Sequence, residues 1–459
     1  MYYWGLRWIP ALAVALLFIG HDPGRLSMAF GPSHDGFNAA LYMTGGRAIL
    51  EEGPLTSQLG ASSRTVWGDR VVYAHHPPLV YLEDAAALAL LRSPEAAARL
   101  PAVASSLAAL VLLVLLLAAC ELPAGPAAVG LLVAFATPMF VGYGAMTEPH
   151  ALGLAPMIAL TLLWQRSRLG FEPPSWAFGL VAAVATLTSW EAALFAAFVS
   201  VFLFFAGQRR AAIAVLAATA LSGVLTALWM WWAYHGDLAE FLQRALHRAG
   251  AGDSRVTVGM MVRQQMQYFS DLFPVGKWMV VPIAALGLLD RRTRPLVASS
   301  LGTVLGYALL FKNGAYDHSY WLYCILLPLA LGAVVAADTV SRVFGSRPWL
   351  RLATPVLGAA IVAALAITVW LPSSKLGRHP HAAETGAQAR ALRWPVRQRY
   401  AYNAFGDIGP TDLLPWLLFY SRRQPFGVDG PQSVPRREVV LRIVDGQLVS
   451  VPGEKPDAP

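Results

Sequence analysis

Long apolar runs separated by short polar loops set the pattern of this chain. The runs fall at about 5–20, 100–119, 125–143, 150–164, 175–189, 191–206, 211–233, 276–289, 295–311, 319–337 and 350–371. A helix needs about 20 apolar residues to cross a bilayer. Several runs approach that length, so the pattern predicts an all-α polytopic membrane protein with about eleven transmembrane helices. No convincing small-x-small cleavage site precedes "HDPGR", and Tyr2, Tyr3 and Trp4 read as an interfacial aromatic belt. The first run therefore reads as an uncleaved helix rather than a signal peptide.

The polar segments divide into two kinds. "WQRSRLG", "AGQRRAA", "LDRRTRP" and "SRVFGSRPW" carry the positive charge and fall at alternate connections. The positive-inside rule makes their side cytoplasmic. That places the N-terminus in the cytoplasm and the other loops outside an inner or plasma membrane. The outer set contains a large first loop, residues 21–99, a second long loop, 234–275, and a tail, 372–459, which follows a membrane core at 1–371. Within the first loop, "LVYLEDAAALALLRS" contains Glu83 and Asp84 and reads as a helix lying at the interface. The long second loop has amphipathic stretches that suit a cover over a site. In the tail, "REVVLRIVDGQLVSVP" carries two alternating segments around Asp445-Gly446, which predicts a β-hairpin.

Composition supports the membrane reading. The chain of 459 residues is 56% hydrophobic and only 14% charged, against about 25% charged in soluble domains. The net charge of +8 resides in the basic loops, which accounts for it by topology and not by a nucleic-acid partner. The two cysteines, Cys120 and Cys324, sit in or beside apolar runs with no metal or disulfide spacing.

Against this background the ionisable residues at the outer ends of the runs stand out, because such groups are functional candidates in a membrane protein. Asp35 follows His34 in "GPSHDGFNAALY", and its bland role is to cap a helix starting near Phe37. In "VYAHHPPLVYLED", His76 precedes a double proline and is pushed out of helical geometry. Pro77 or Pro78 then starts the next helix, which holds His75 and His76 at a fixed point. Metal ligation by these imidazoles with His34, Asp35 and Glu148 is an open alternative, though no spacing demands it. Glu148 in "GAMTEPHAL" and Glu191 in "LTSWEAALF" each fit a helix start, where the dipole favours an acid. "NGAYDHSYWLYC" places His318 and Tyr320 at the outer end of a late helix, where an aromatic belt with a satisfied histidine is the bland reading.

Taken in order, these elements resemble the C-type (GT-C) membrane glycosyltransferases. The likeness is to the bacterial branch related to protein O-mannosyltransferases and the lipid A aminoarabinose transferase. An acid follows the first helix (Asp35), "HHPPL" follows about forty residues on, "AAARLPAVASSL" with Arg99 opens the next helix, and a late H-x-Y (His318, Tyr320) precedes a helix containing Pro328. A second acid, Glu148, lies in the second outer loop. The likeness covers about residues 1–340 and leaves the tail unplaced. Two positions depart from the pattern: the aminoarabinose branch tends to carry lysine where this chain has His76, and many relatives carry aspartate at the position of Glu148.

The resemblance implies a GT-C bundle that transfers a sugar from a polyprenyl-phosphate donor to an acceptor on the outer face, with inversion. Asp35 is then the expected general base, and Glu148 a second acid that binds sugar or acceptor hydroxyls. His34, His75, His76, Arg99, Glu191, His318 and Tyr320 are expected around the donor phosphate and substrate. No cofactor is expected; a divalent cation between Asp35 and Glu148 is the alternative and is not favoured. The implied partners are the lipid-linked sugar, membrane lipids, and an acceptor lipid, polysaccharide or protein. The competing class is a non-catalytic transporter or flippase of lipid-linked intermediates. Transporters often show inverted repeats and midplane ionisable groups, and the sequence shows neither.

Overall fold

The computed structural model describes residues 7–344, apart from 23, 32–33, 65–69, 92, 238 and 251–255. Beyond 344 it describes only 387, 399–402, 419, 438–444 and 447–452. The apolar run expected at 350–371, most of the tail and the Asp445-Gly446 turn lie outside the described residues.

In chain order the first elements are α1 (Trp8–Gly20), α2 (His34–Glu52), β1 (Ser62–Arg64), β2 (Arg70–Val72), α3 (Leu79–Leu90) and α4 (Pro94–Ala119). Then come α5 (Ala124–Phe135), α6 (Pro138–Tyr143), α7 (Pro149–Arg168), α8 (Ser175–Thr188), α9 (Trp190–Phe205) and α10 (Arg209–Ala233). The remaining helices are α11 (Ala239–Ala249), α12 (Val258–Leu272), α13 (Lys277–Leu286), α14 (Arg294–Leu310), α15 (Lys312–Asp317) and α16 (Leu326–Phe344). Strands β3 (Arg399–Tyr402), β4 (Glu438–Val444) and β5 (Gln447–Pro452) complete the order.

Among the described residues, three helical segments are long and apolar enough to cross a membrane: Pro94–Ala119, Arg209–Ala233 and Tyr323–Val343. Helices α12 and α13, bent by 91° at a short break, make a fourth if they form one broken crossing. Helices α1, α5, α8, α9 and α14 are apolar but shorter. The single run expected at 125–143 is two helices. Pro138 disfavours helical geometry at the residue before it, and Thr137 is extended and accepts a hydrogen bond from the Phe140 amide as the cap of α6. The segment expected at the interface is the helix α3. The strands β1 and β2, paired antiparallel, are an element the sequence pattern did not announce.

The chain divides into two compact units. One comprises Met1–Pro23, Ala74–Leu79 and Ala102–Pro372; the other Gly24–Tyr73, Val80–Pro101 and Ser373–Pro459. In the first unit α16 packs on α5 and α13, α10 on α8 and α9, and α14 on α9. Glycine permits close approach at the α5–α16 crossing: a Cβ at Gly130 of α5 would collide with Val334 and with the Ala330 carbonyl of α16. In the second unit Phe30, Ala39, Ala40, Met43, Ala97 and Ala98 form a small core. Phe419 joins it, edge-on to Phe30 with ring centres 4.9 Å apart, and the Arg47 guanidinium lies 4.1 Å over its ring. Strand β4 pairs parallel with β3 and antiparallel with β5.

Candidate functional site

The second unit contains a buried ion cluster around Asp35. Helix α2 begins at His34, so Asp35 stands in its first turn, earlier than the expected start near Phe37. The side chain of His34 lies outside the described part. Gly36 is required at the next position, because a Cβ there would strike the backbone of Gly31. The Asp35 carboxylate is 5% exposed. Arg99, fully buried in α4, donates from Nε to Asp35 Oδ2 at 3.0 Å and from Nη1 to the Met28 carbonyl at 2.7 Å. The same Nη1 reaches the Glu95 carbonyl one turn earlier, at 3.3 Å. Arg25 approaches Asp35 Oδ1 at 3.8 Å. A buried carboxylate needs partners of this kind, since removing a charge from water costs several kcal/mol unless it is paired.

The first unit contains a second collection of polar groups set among aromatic rings. Glu148 is the extended N-cap residue of α7, with Pro149 in the first helical position. One residue on, His150 Nδ1 lies 2.7 Å from Glu191 Oε1, both side chains being buried. Glu191 is held in the first turn of α9, where Ser189 caps the helix by accepting from the Ala192 amide. The His150 ring packs against Trp321 and Tyr320, with centres 5.2 and 5.4 Å away. Trp321 stacks on Tyr307 at an interplanar angle of 17° and on His318 at 19°. The Arg248 guanidinium, from the last turn of α11, sits 5.4 Å over the Trp321 ring. The Tyr143 and Ser319 hydroxyls are 2.5 Å apart.

His75 and His76, in a bend before the double proline, are both buried. Trp190 Nε1 donates to the His75 carbonyl at 2.9 Å and ties that segment to the start of α9. Burial, followed by the positive charge of Arg248 and the neighbouring imidazoles, holds His76 well below the ordinary histidine pKa. His76 is therefore neutral at pH 7 and offers one hydrogen-bond donor and one acceptor. A cavity of about 180 Å³ opens here, lined by His75, Trp190, Arg248, Tyr307, Phe311 and Trp321 among others. Its chemistry is an aromatic wall with one permanent cation, which suits a sugar ring beside an anion.

The structure thus gathers His75, His76, Glu148, Glu191, His318 and Tyr320 in the first unit, and Asp35 and Arg99 in the second. Among the described residues no group of three or more His, Cys, Asp or Glu side chains is arranged to hold a metal ion. Arg248, Trp190 and Tyr307 were not singled out from sequence. The one signal was the amphipathic character of 234–275 for Arg248; the aromatic residues sit within apolar runs and carry no contrast there.

This architecture is the fold of the C-type membrane glycosyltransferases. It is similar to the crystal structure of ArnT from Cupriavidus metallidurans bound to undecaprenyl phosphate, with a TM-score of 0.59 and 17% sequence identity over 90% of this chain and 84% of that one. The same protein in its apo state gives 0.55 and 16%, over 90% and 83%. No protein-family model matches the sequence, and no curated protein matches it.

Proposed function

We propose that this protein is an integral membrane glycosyltransferase that moves a sugar from a polyprenyl-phosphate donor to an acceptor hydroxyl or amine on the outer face of the membrane, with inversion. The observation that carries the reading is the likeness, over most of both chains, to a structure that holds undecaprenyl phosphate. The aromatic cavity with Arg248 supports it. The reading includes about eleven membrane crossings, the shorter apolar helices among them, an inner-membrane location, a cytoplasmic N-terminus and a tail with a hairpin outside.

Chemically, the acceptor's proton must leave as the new bond to the anomeric carbon forms, while the bond to the phosphate oxygen breaks. A positioned carboxylate contributes roughly 10²–10⁴-fold as general base, and Asp35 has that role in this proposal. Arg99 acts through Asp35, as a positioning residue that supplies its countercharge. The phosphate leaving group gains charge and needs donors; Arg248 supplies a permanent cation, His75 and His76 neutral imidazoles. Trp321, Tyr307 and Tyr320 offer faces and hydroxyls to the sugar, and Glu148 and Glu191 accept from sugar or acceptor hydroxyls. No step requires a metal ion.

The test is a transfer assay on the full chain in lipid nanodiscs. It would use a panel of labelled polyprenyl-phosphate sugars, an envelope extract as acceptor, and parallel samples with EDTA. Label moving from donor to acceptor, unaffected by EDTA, is the expected result. Donor bound but never consumed would replace the enzyme with the transporter reading. Loss of transfer in EDTA would bring in the divalent cation.

A further inference from the structure

The first unit has a second, larger cavity at the end of its helices remote from the aromatic pocket. Helix α7 begins beside Glu148 and ends at Arg168. Helix α14 begins at Arg294 and ends beside Tyr307 and Phe311. Helix α16 follows Trp321 and runs on to Asp338 and Arg342. From Leu326 to Asp338 alone the rise is about 18 Å. The cavity there is about 660 Å³, and Leu289, Asp290, Arg291, Arg292, Asp338 and Arg342 line it.

Its walls are fixed by hydrogen bonds. Arg168 Nη1 donates to the Arg292 carbonyl at 2.9 Å and its Nη2 to the Arg291 carbonyl at 3.0 Å. Thr293 closes the loop by donating to the Gly287 carbonyl at 2.7 Å. Arg292 is held between Asp290, at 2.7 Å, and the buried Asp338, at 3.1 Å. It also donates to the Glu121 carbonyl at 3.1 Å. Arg342 pairs with Asp338. Two guanidiniums, Arg292 and Arg342, thus face two carboxylates, Asp290 and Asp338, and Arg291 adds a third positive charge to the wall. Arg291 is exposed, and among the described residues its side chain makes no hydrogen bond or ion pair. Beside it Leu289 is 71% exposed, so a cationic wall meets an apolar rim. Helix α5 also begins here, behind Pro123.

We propose that this groove is a binding site for the phosphate of an anionic phospholipid, with Arg291 and Arg342 on the headgroup and Leu289 against the acyl chains. Guanidinium groups match phosphate oxygens in geometry as well as charge. Basic pockets between membrane helices, at a membrane surface, are where such headgroups bind. Free phosphate would have no use for the apolar rim. The site is independent of the transfer chemistry, because none of its residues belongs to the aromatic pocket or the Asp35 cluster.

The experiment measures lipid retained by the purified full chain in native mass spectrometry, after exchange between phosphatidylcholine and phosphatidylglycerol. Inorganic phosphate is added as a competitor in a separate arm. Wild type is expected to retain phosphatidylglycerol preferentially. Arg291→Gln and Arg342→Gln should each weaken retention by about fivefold, whereas Arg210→Gln, which removes the same charge from the exposed first turn of α10, should leave it unchanged. Equal retention of the two lipids by wild type would overturn the site. So would equal weakening by Arg210→Gln, which would mean diffuse surface attraction. Displacement of the lipid by millimolar inorganic phosphate would replace the phospholipid with a free anion.

Discussion

Two aspartates of the same unit, Asp35 and Asp84, are buried to nearly the same degree, 5% and 0% exposed, yet they are opposite chemical objects. Asp35 lies between Arg99 and Arg25. Both carboxylate oxygens of Asp84 lack a hydrogen-bond partner among the described residues. Burial pushes its carboxyl well above the ordinary range, and the neighbouring Glu83 pushes it further. Glu83 is itself raised to about 7 by burial. Asp35 is thus equipped to carry charge without water, whereas Asp84 is built as a neutral acid. The partner, not the depth, decides which acid can serve as an anion in a reaction.

The sharpest way to break this contrast is to remove the countercharge. Arg99→Gln would leave Asp35 buried without its principal partner. Breaking one side of a buried pair costs about 3–5 kcal/mol, so thermal unfolding should shift down strongly, and Asp35→Asn in the same chain should restore much of the loss. If Arg99→Gln unfolds at the wild-type temperature, the pair contributes no such energy.

The other half of the contrast is tested by pH. A carboxyl raised from 4.5 to about 7 stays protonated in the folded chain while the unfolded chain ionises. Its stabilising effect is full below pH 4.5 and is lost as pH rises to about 7. Glu83→Gln should therefore stabilise at pH 8, by on the order of 3 kcal/mol, and do nothing at pH 4. A denaturation series across that range reads both ends; a gain that is the same at pH 4 and pH 8 would show that Glu83 does not titrate this way.

His76 applies the same rule to a base. Its lowered pKa keeps it neutral in the fold, so the unfolded chain takes up the proton first as pH falls below the ordinary histidine value of about 6.5. Stability is present above that pH and is lost below it. His76→Gln should flatten the acid limb, with no change at pH 8. An unchanged acid limb would assign that lability to other groups.

How much of this was visible in the sequence depends on the length scale. Apolar runs at 100–119, 211–233 and 295–311 lie within or closely match α4, α10 and α14, because the period and length of a run are local properties. The break at Thr137-Pro138 was written in the proline, but the apolar residues on both sides masked it. Asp35 and Arg99 were each singled out, yet not as partners: they are 64 residues apart, and no spacing rule links positions joined only by tertiary packing. Arg99 was expected on the donor phosphate; its guanidinium lies on Asp35 and two carbonyls. Tyr307 and Trp190 went unnoticed because an aromatic ring inside an apolar run looks like core until its neighbours are known.

The central claim is that Asp35 removes the acceptor's proton. The measurement is transfer by Asp35→Asn in nanodiscs, with donor binding and thermal stability followed on the same preparation. The account predicts a folded protein that binds donor as the wild type does and transfers roughly 10²–10⁴-fold more slowly. A folded Asp35→Asn protein that transfers at the wild-type rate would contradict it.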